Sequence, residues 1–255
     1  MSSEHPGVLE RPGRPPLAYR AVAGRLPWVV FCGGFTSTMD GTKATALEAH
    51  CRRRGTAYVR FDYAGHGASG GRFEDQTVGS WTRDALAVLD RVARGPVVLV
   101  GSSMGGWVAS LVIRERPDRV RGLVTVAAAP DFTAELVEPH LDPDARERLR
   151  RAGRILVPNP YGPEPTVITR QLLDDGRARR VLDGPIPLDG PARLLHGLAD
   201  DQVPWTLSVR LAEALATPDA RVILVKGGDH RLSDPTGLGL LYRSVDEVWA
   251  GAGGS

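Results

Sequence analysis

Residues 96–107 read PVVLVGSSMGGW, an apolar run that ends in two adjacent serines ringed by Gly101, Gly105 and Gly106. A serine hydroxyl attacks a carbonyl carbon only when a neighbouring base takes its proton. A chain presents such a serine well on a sharp turn from strand to helix, held in strained backbone geometry. At that turn the residues two before and two after the nucleophile crowd together, so both need to lack side chains. Ser102 fails the test, because Val100 and Met104 flank it, whereas Ser103 passes with Gly101 and Gly105. The pattern G-x-S-x-G thus makes Ser103 the candidate nucleophile.

Its base is expected to be an imidazole, held in one tautomer by a carboxylate. In this setting the order along the chain is serine, acid, histidine, with each partner following a later strand. The segment RLLHGLADDQVPW (193–205) offers Asp200 and Asp201 just after a strand-like run. The segment VILVKGGDHRL (222–232) offers His230 in a glycine-containing loop after the final strand-like run. The other histidines fit less well. His5 lies in the polar start, His50 in a helix before the serine, and His66 between two glycines in a structural turn. His140 lies in a segment without strands. His196 ends a strand, where a ring more often satisfies backbone groups than does chemistry. Asp229 adjoins His230, but adjacent side chains diverge, so it reads as a loop-fixing residue. Acyl transfer also needs two backbone N–H groups aimed at the developing oxyanion. Met104, opening the helix after Ser103, supplies one. Phe35, after Gly34 in CGGFTS (32–37), supplies the other.

Short β-branched runs alternate with amphipathic ones along the chain. Strands are expected at 17–23, 28–34, 56–63, 96–102, 120–129, 191–197 and 221–228. Helices are expected at 43–54, 80–94, 104–116, 203–215 and 236–249. The first of these ends at Gly55, a residue suited to a left-handed cap. Trp81, Ala85, Leu89 and Val92 share one helical face. This alternation predicts an α/β fold with a mostly parallel, doubly wound sheet in a single domain. Residues 131–187 break the rhythm. They hold proline-rich stretches, no strand-like run, and two helix candidates at 143–153 and 167–182. They read as a helical lid inserted over the carboxyl ends of the strands.

The chain has 255 residues, long enough for one sizeable α/β core, with 32 basic and 30 acidic side chains. That balance leaves no electrostatic footprint for nucleic acid. Lysine occurs only at Lys43 and Lys226, a compositional bias towards arginine. No apolar run approaches the length of a membrane span. The N-terminus lacks the apolar stretch of a secretory signal, and two cysteines, Cys32 and Cys51, suit a reducing cytoplasm better than a disulfide framework. No metal or other cofactor is expected, since His, Asp and Glu do not cluster at ligand spacing.

The chain resembles α/β-hydrolases over nearly its whole length: FDYAGHGASGG (61–71) is similar to the turn after their fourth strand and HGLADDQVPW (196–205) to their acid loop. The second follows H-G-x-x-D-x-x-V-P, which selects Asp200 over Asp201. More narrowly, GGFTSTMDGTKATALE, RFDYAGHGASGG, GSSMGGW, RLLHGLADDQVPW and GGDHR together resemble the group of α/β-hydrolase domain-containing protein 10. Its members are palmitoyl-protein thioesterases that also cleave acyl glucuronides. The resemblance implies Ser103, Asp200 and His230 as a catalytic triad, and it is poor across 131–187. The expected substrate is an acyl thioester or carboxylic ester, S-acylated proteins among them, cleaved through an acyl-enzyme. Phe35, Trp107, Phe132, Leu156, Tyr161 and Trp205 are the candidates to line an acyl groove. A small-ester or acyl-glucuronide esterase shares the machinery, and a non-catalytic ligand receptor on the same fold is the reading from another class.

Overall fold

A computed structural model describes residues 4–158 and 164–254. Strands β1 (Glu4–Arg11), β2 (Arg14–Val22), β3 (Arg25–Cys32), β4 (Thr56–Phe61), β5 (Val97–Ser102), β6 (Val120–Val126), β9 (Ala192–Gly197) and β10 (Ala220–Val225) form one sheet. Two further strands, β7 and β8, belong to the segment described below. The order across the sheet is β1-β2-β4-β3-β5-β6-β9-β10. Only β1 with β2 and β2 with β4 run antiparallel; every pair from β4 to β10 is parallel.

Parallel strands need crossovers, and helices supply them on both faces. The period of two along β5 shows how. Val97 and Leu99 pack on one face with Trp81 and Leu89 of α2 (Val78–Arg91) and Val108 and Val112 of α3 (Met104–Glu115). Val98 and Val100 pack on the other with Leu47 of α1 (Thr42–Arg54) and Val245 and Val248 of α7 (Pro235–Gly251). The chain is a mostly parallel, doubly wound sheet with the α/β-hydrolase arrangement. Gly55 ends α1 at φ 67°, as its position after the apolar periodicity predicts.

The strand order reverses at β3, whose chain neighbour β4 lies on one side and β5 on the other. A crevice opens at the carboxyl ends of strands where such a reversal occurs. The loops after β3 and β5 carry Phe35 and Ser103 into it. Among the described residues, the non-glycine positions with positive φ are Thr36, Ser103, Ala127, Asp131 and Leu232. All five follow the carboxyl ends of β3, β5, β6 or β10, and backbone strain of this kind concentrates at functional sites.

Two expectations need correction. The alternation predicts the first strand at 17–23, but the polar, proline-bearing start already forms β1, which pairs with β2 from Glu4 onward. Pro6 is tolerated because β1 is the sheet's edge. The excursion between β6 and β9 is also not purely helical. It holds α4 (Pro143–Ala152) and α5 (Arg170–Arg177), and between them a hairpin of β7 (Arg154–Val157) and β8 (Thr166–Thr169). The helix expected from residue 167 begins three residues later. Four residues, Thr166-Val167-Ile168-Thr169, are all β-branched and favour strand, and the Thr169 hydroxyl then caps α5 by accepting from Leu172 N–H at 3.1 Å. Asp131 ties the two ends of the excursion together. Its buried carboxylate accepts from the amides of Val181 and Leu182 at 2.8 and 3.0 Å.

Candidate active site

Ser103 sits between β5 and α3 at φ 53°, ψ −120°. Its amide donates to Val126 O at 2.9 Å, and its own carbonyl accepts from Gly106 at 2.9 Å and Ala129 at 3.0 Å. These bonds clamp a conformation that a serine would not adopt unaided. The glycine requirement read from the sequence has a steric counterpart. A Cβ on Gly101 would lie 2.6 Å from Gly105 O, and one on Gly105 would lie 2.0 Å from Cys32 O. Both obstacles are backbone, which cannot swing aside. Gly105→Ala is therefore expected to destabilise the fold by about 1–3 kcal/mol, as overpacked sites do. Thermal unfolding should show the melting temperature falling by several degrees, and an unchanged value would contradict this steric account.

The structure brings the three predicted side chains into line. His230 Nε2 is 3.2 Å from Ser103 Oγ, and His230 Nδ1 is 2.7 Å from Asp200 Oδ2. A carboxylate only accepts, so Nδ1 carries the proton and Nε2 presents its lone pair to the serine hydroxyl. The Asp200 side chain is buried while Asp201 is exposed, in keeping with the sequence preference for Asp200. The loops that hold acid and imidazole are stitched together: Leu198 N–H donates to Val225 O and Ala199 N–H to Gly228 O, each at 2.9 Å. Asp229 turns away and accepts from the amides of Arg231 and Leu232 at 3.1 and 2.8 Å.

Asp200 has a second imidazole partner that the sequence reading gave only a backbone role. His196 Nε2 lies 2.9 Å from Val203 O and 3.1 Å from Asp200 Oδ2, while its Nδ1 lies 2.7 Å from Ser208 Oγ. A carbonyl accepts, so the Nε2 proton is shared between Val203 and Asp200, and Ser208 donates to Nδ1. The amides of Gln202 and Val203 both donate to Asp200 Oδ1 at 2.9 Å. Burial works to raise the Asp200 carboxyl, but the bonds from His196, His230 and Val203 outweigh it and hold the group well below the ordinary carboxylate range. The i, i+4 spacing of His196 and Asp200 was the available signal, and only the loop's curl turns it into a contact.

Met104 is the first residue of α3, so its N–H has no place in the helical ladder. Phe35 borders the same cavity, and the loop approaches closely: a Cβ on Gly34 would lie 3.4 Å from Ser103 Cβ. The Phe35 ring is wedged among Phe73, Trp81 and Phe132, with centroids 5.1, 5.8 and 5.2 Å away. That cluster fixes the backbone on which its amide rides.

The cavity beside Ser103 has a volume of about 450 Å³, within the usual range of small-molecule sites. Phe35 and Phe132 line it as expected, together with Leu136, Val137, Val157 and Ile168. Trp107, Leu156 and Trp205 do not line it, which corrects the sequence expectation. Trp107 is fully buried behind Phe132, its indole N–H donating to Arg179 O at 3.1 Å. Leu156 is 65% exposed because the pleat of β7 turns it outward and Val157 inward. Trp205, at the start of α6 (Thr206–Ala214), is 40% exposed, and Val203 borders the cavity in its stead. Tyr161 lies outside the described residues. Both cysteines are unpaired and buried, and burial pushes the Cys32 thiol up to about 12 against a bond with Tyr63, so it is no rival nucleophile. Among the described residues, no group of three His, Cys, Asp or Glu side chains is placed to hold a metal ion.

Residues 27–160 match the family described as serine aminopeptidase, S33. With that match and the relatives below, the chain belongs to the α/β-hydrolase family and is a hydrolase. It is 39% identical over 241 residues to palmitoyl-protein thioesterase ABHD10, mitochondrial, of Bos taurus, covering 94% of this chain and 78% of that one. The structure of α/β hydrolase domain-containing protein 10 from mouse superposes with a TM-score of 0.87 at 36% identity, covering 95% of this chain and 97% of the other. A putative hydrolase from Agrobacterium vitis S4 superposes with a TM-score of 0.92 at 38% identity, covering 98% and 99%. Among the described residues, no helix is long and apolar enough to cross a membrane.

Proposed function

We propose that the chain hydrolyses acyl thioesters and carboxylic esters through an acyl-enzyme on Ser103. The observation that carries this reading is the continuous line of Asp200, His230 and Ser103, with links of 2.7 and 3.2 Å. His230 Nε2 takes the hydroxyl proton as Ser103 Oγ attacks the acyl carbonyl. Asp200 holds the tautomer and stabilises the imidazolium, and its lowered pKa keeps it ionised for that task. The amides of Phe35 and Met104 receive the oxyanion, each such donor being worth about 3–4 kcal/mol to the transition state. His230 then gives its proton to the leaving group, and water repeats the sequence on the acyl-enzyme. The hydrogen-bonded line argues against the ligand-receptor alternative, which has no use for it.

The acyl chain would lie in the cavity beneath residues 131–187. Phe132, Leu136, Val137, Val157 and Ile168 all come from that segment, which supports reading it as a lid of mixed helix and hairpin. The named activity of the ABHD10 relatives, palmitoyl-protein thioesterase, supports long acyl chains and S-acylated proteins as substrates. A small-ester or acyl-glucuronide esterase would use the same machinery, so chain length divides the readings. In matched thioester and oxyester series from two to sixteen carbons, kcat/KM is expected to rise towards the long chains. A sharp optimum at about two to four carbons would count against removal of palmitoyl groups and favour the small-ester reading. The two unpaired cysteines fit a reducing compartment, the cytoplasm on the sequence reading; the relatives are named as mitochondrial.

A further inference from the structure

A second cavity, of about 210 Å³, opens beside the first. Ser37, Thr38, Lys43 and Arg231 border both, so the two are arms of one depression. The arms differ in chemistry. Leu136, Val137, Val157 and Ile168 border only the larger one, whereas Thr42 and Ser233, with Phe31, Gly33 and Ala44, border only the smaller one. The smaller arm starts next to the nucleophile: it is bordered by Ser102 and Gly34, and the latter's backbone approaches Ser103 as described above.

Lys43 lies at the junction. Its ammonium donates to Arg231 O at 2.7 Å and reaches Ser233 Oγ at 3.4 Å, both uncharged oxygens. Among the described residues no carboxylate lies within ion-pair distance of it, and none lines either arm. Asp229 is the acidic group that acts on it from the loop, but that carboxylate already accepts two loop amides. Burial, then the nearby charge of Arg231, lower the Lys43 ammonium to about 8 against the pull of Asp229. A partly desolvated cation without a counter-ion costs free energy that a bound anion would offset. This arm offers an acyl chain less apolar wall than the larger one, and a charged group would be costly beside Leu136, Val137, Val157 and Ile168.

We propose that the polar arm is a leaving-group subsite for an anionic group, a carboxylate or a phosphate, whose charge Lys43 meets. This rests on the serine hydrolase reading above, because the two arms take the two halves of the bond that Ser103 cleaves. Lys43 thereby selects among substrates by what they release, independently of acyl length. A competing role is purely structural, since the bond to Arg231 O ties α1 to the loop of His230.

Three octanoyl thioesters separate these roles: one of 3-mercaptopropionate, one of 2-mercaptoethyl phosphate and one of 2-mercaptoethanol. For the wild type, kcat/KM is expected to favour at least one anionic leaving group over the neutral one by about tenfold, the scale of a charge-assisted contact. The carboxylate or phosphate arm with the larger ratio identifies the source of the anion. In Lys43→Met that ratio should fall to near one, and in Lys43→Arg most of it should return. A loss that lowers all three substrates equally, leaving the ratio intact, is what a structural tie produces and overturns the subsite. A wild type without preference in either arm overturns it as well. Either result with hydrolysis intact leaves the Ser103 reading standing, whereas no hydrolysis of any of the three brings down both.

Discussion

Ser103→Ala is expected to lower kcat for p-nitrophenyl octanoate by roughly four to six orders of magnitude, the scale seen when a triad's nucleophile is removed. The effect is large because Ser103 Oγ is the atom that would form the acyl bond in the proposed mechanism, and His230 Nε2 lies 3.2 Å from it. Residual rate above the uncatalysed reaction should persist, since in the proposed mechanism the amides of Phe35 and Met104 would still polarise the carbonyl. The variant should fold, because the elbow is held by the backbone bonds of Ser103 to Val126, Gly106 and Ala129, which alanine keeps. A steady-state assay with active-site concentration known checks it. Equal rates for variant and wild type would favour a receptor on a hydrolase fold.

Asp200→Asn is expected to cost about 10⁴ in kcat. The amide that replaces Oδ2 or Oδ1 brings two N–H donors into a site built wholly of donors: His230 Nδ1–H, His196 Nε2–H and the amides of Gln202 and Val203. Either a backbone amide loses its acceptor or His230 switches tautomer and turns a protonated Nε2 towards the serine. The same substitution has a stability signature with a defined sign. The folded Asp200 carboxyl is depressed, so it contributes stability that is present above the unfolded value of about 4 and lost as pH falls below it. Asp200→Asn lacks this dependence. The gap in denaturation midpoint between wild type and variant should therefore narrow as pH drops below about 4. A gap that is constant down to acid pH would show that the carboxylate's charge is not what His196 and His230 stabilise.

The elbow and its partners are legible in the sequence for reasons that are local or topological. Gly101 is demanded by the backbone of Gly105, four residues away, and Gly105 by the end of the neighbouring strand β3 at Cys32, while the order of Asp200 and His230 follows from which strands precede them. The parts that were not legible depend on which way a side chain faces in a tertiary setting. The hairpin in the excursion consists of two four-residue strands, too short for periodicity to register, and missing it hid the pleat that turns Leu156 outward and Val157 inward. Trp107 carries the apolar spacing of a core helix and of a groove wall alike, and only its position behind Phe132 distinguishes them. The edge strand β1 was masked by Pro6 and Gly7. Lys43 and Arg231 are 188 residues apart, so nothing local announces that they share a cavity.

The central claim is that Ser103, and not its neighbour Ser102, is acylated. Both border the cavity, but Ser102 closes β5, and the imidazole of His230 aligns with Ser103. Treatment with a p-nitrophenyl alkylphosphonate, followed by peptide mass spectrometry, reads this directly, because such a reagent bonds only to a hydroxyl whose proton a base removes. The account predicts one equivalent of phosphonate on Ser103, activity lost in step with labelling, and no label on Ser103→Ala. Label on Ser102 or elsewhere, or full activity in the stoichiometrically labelled protein, would contradict it.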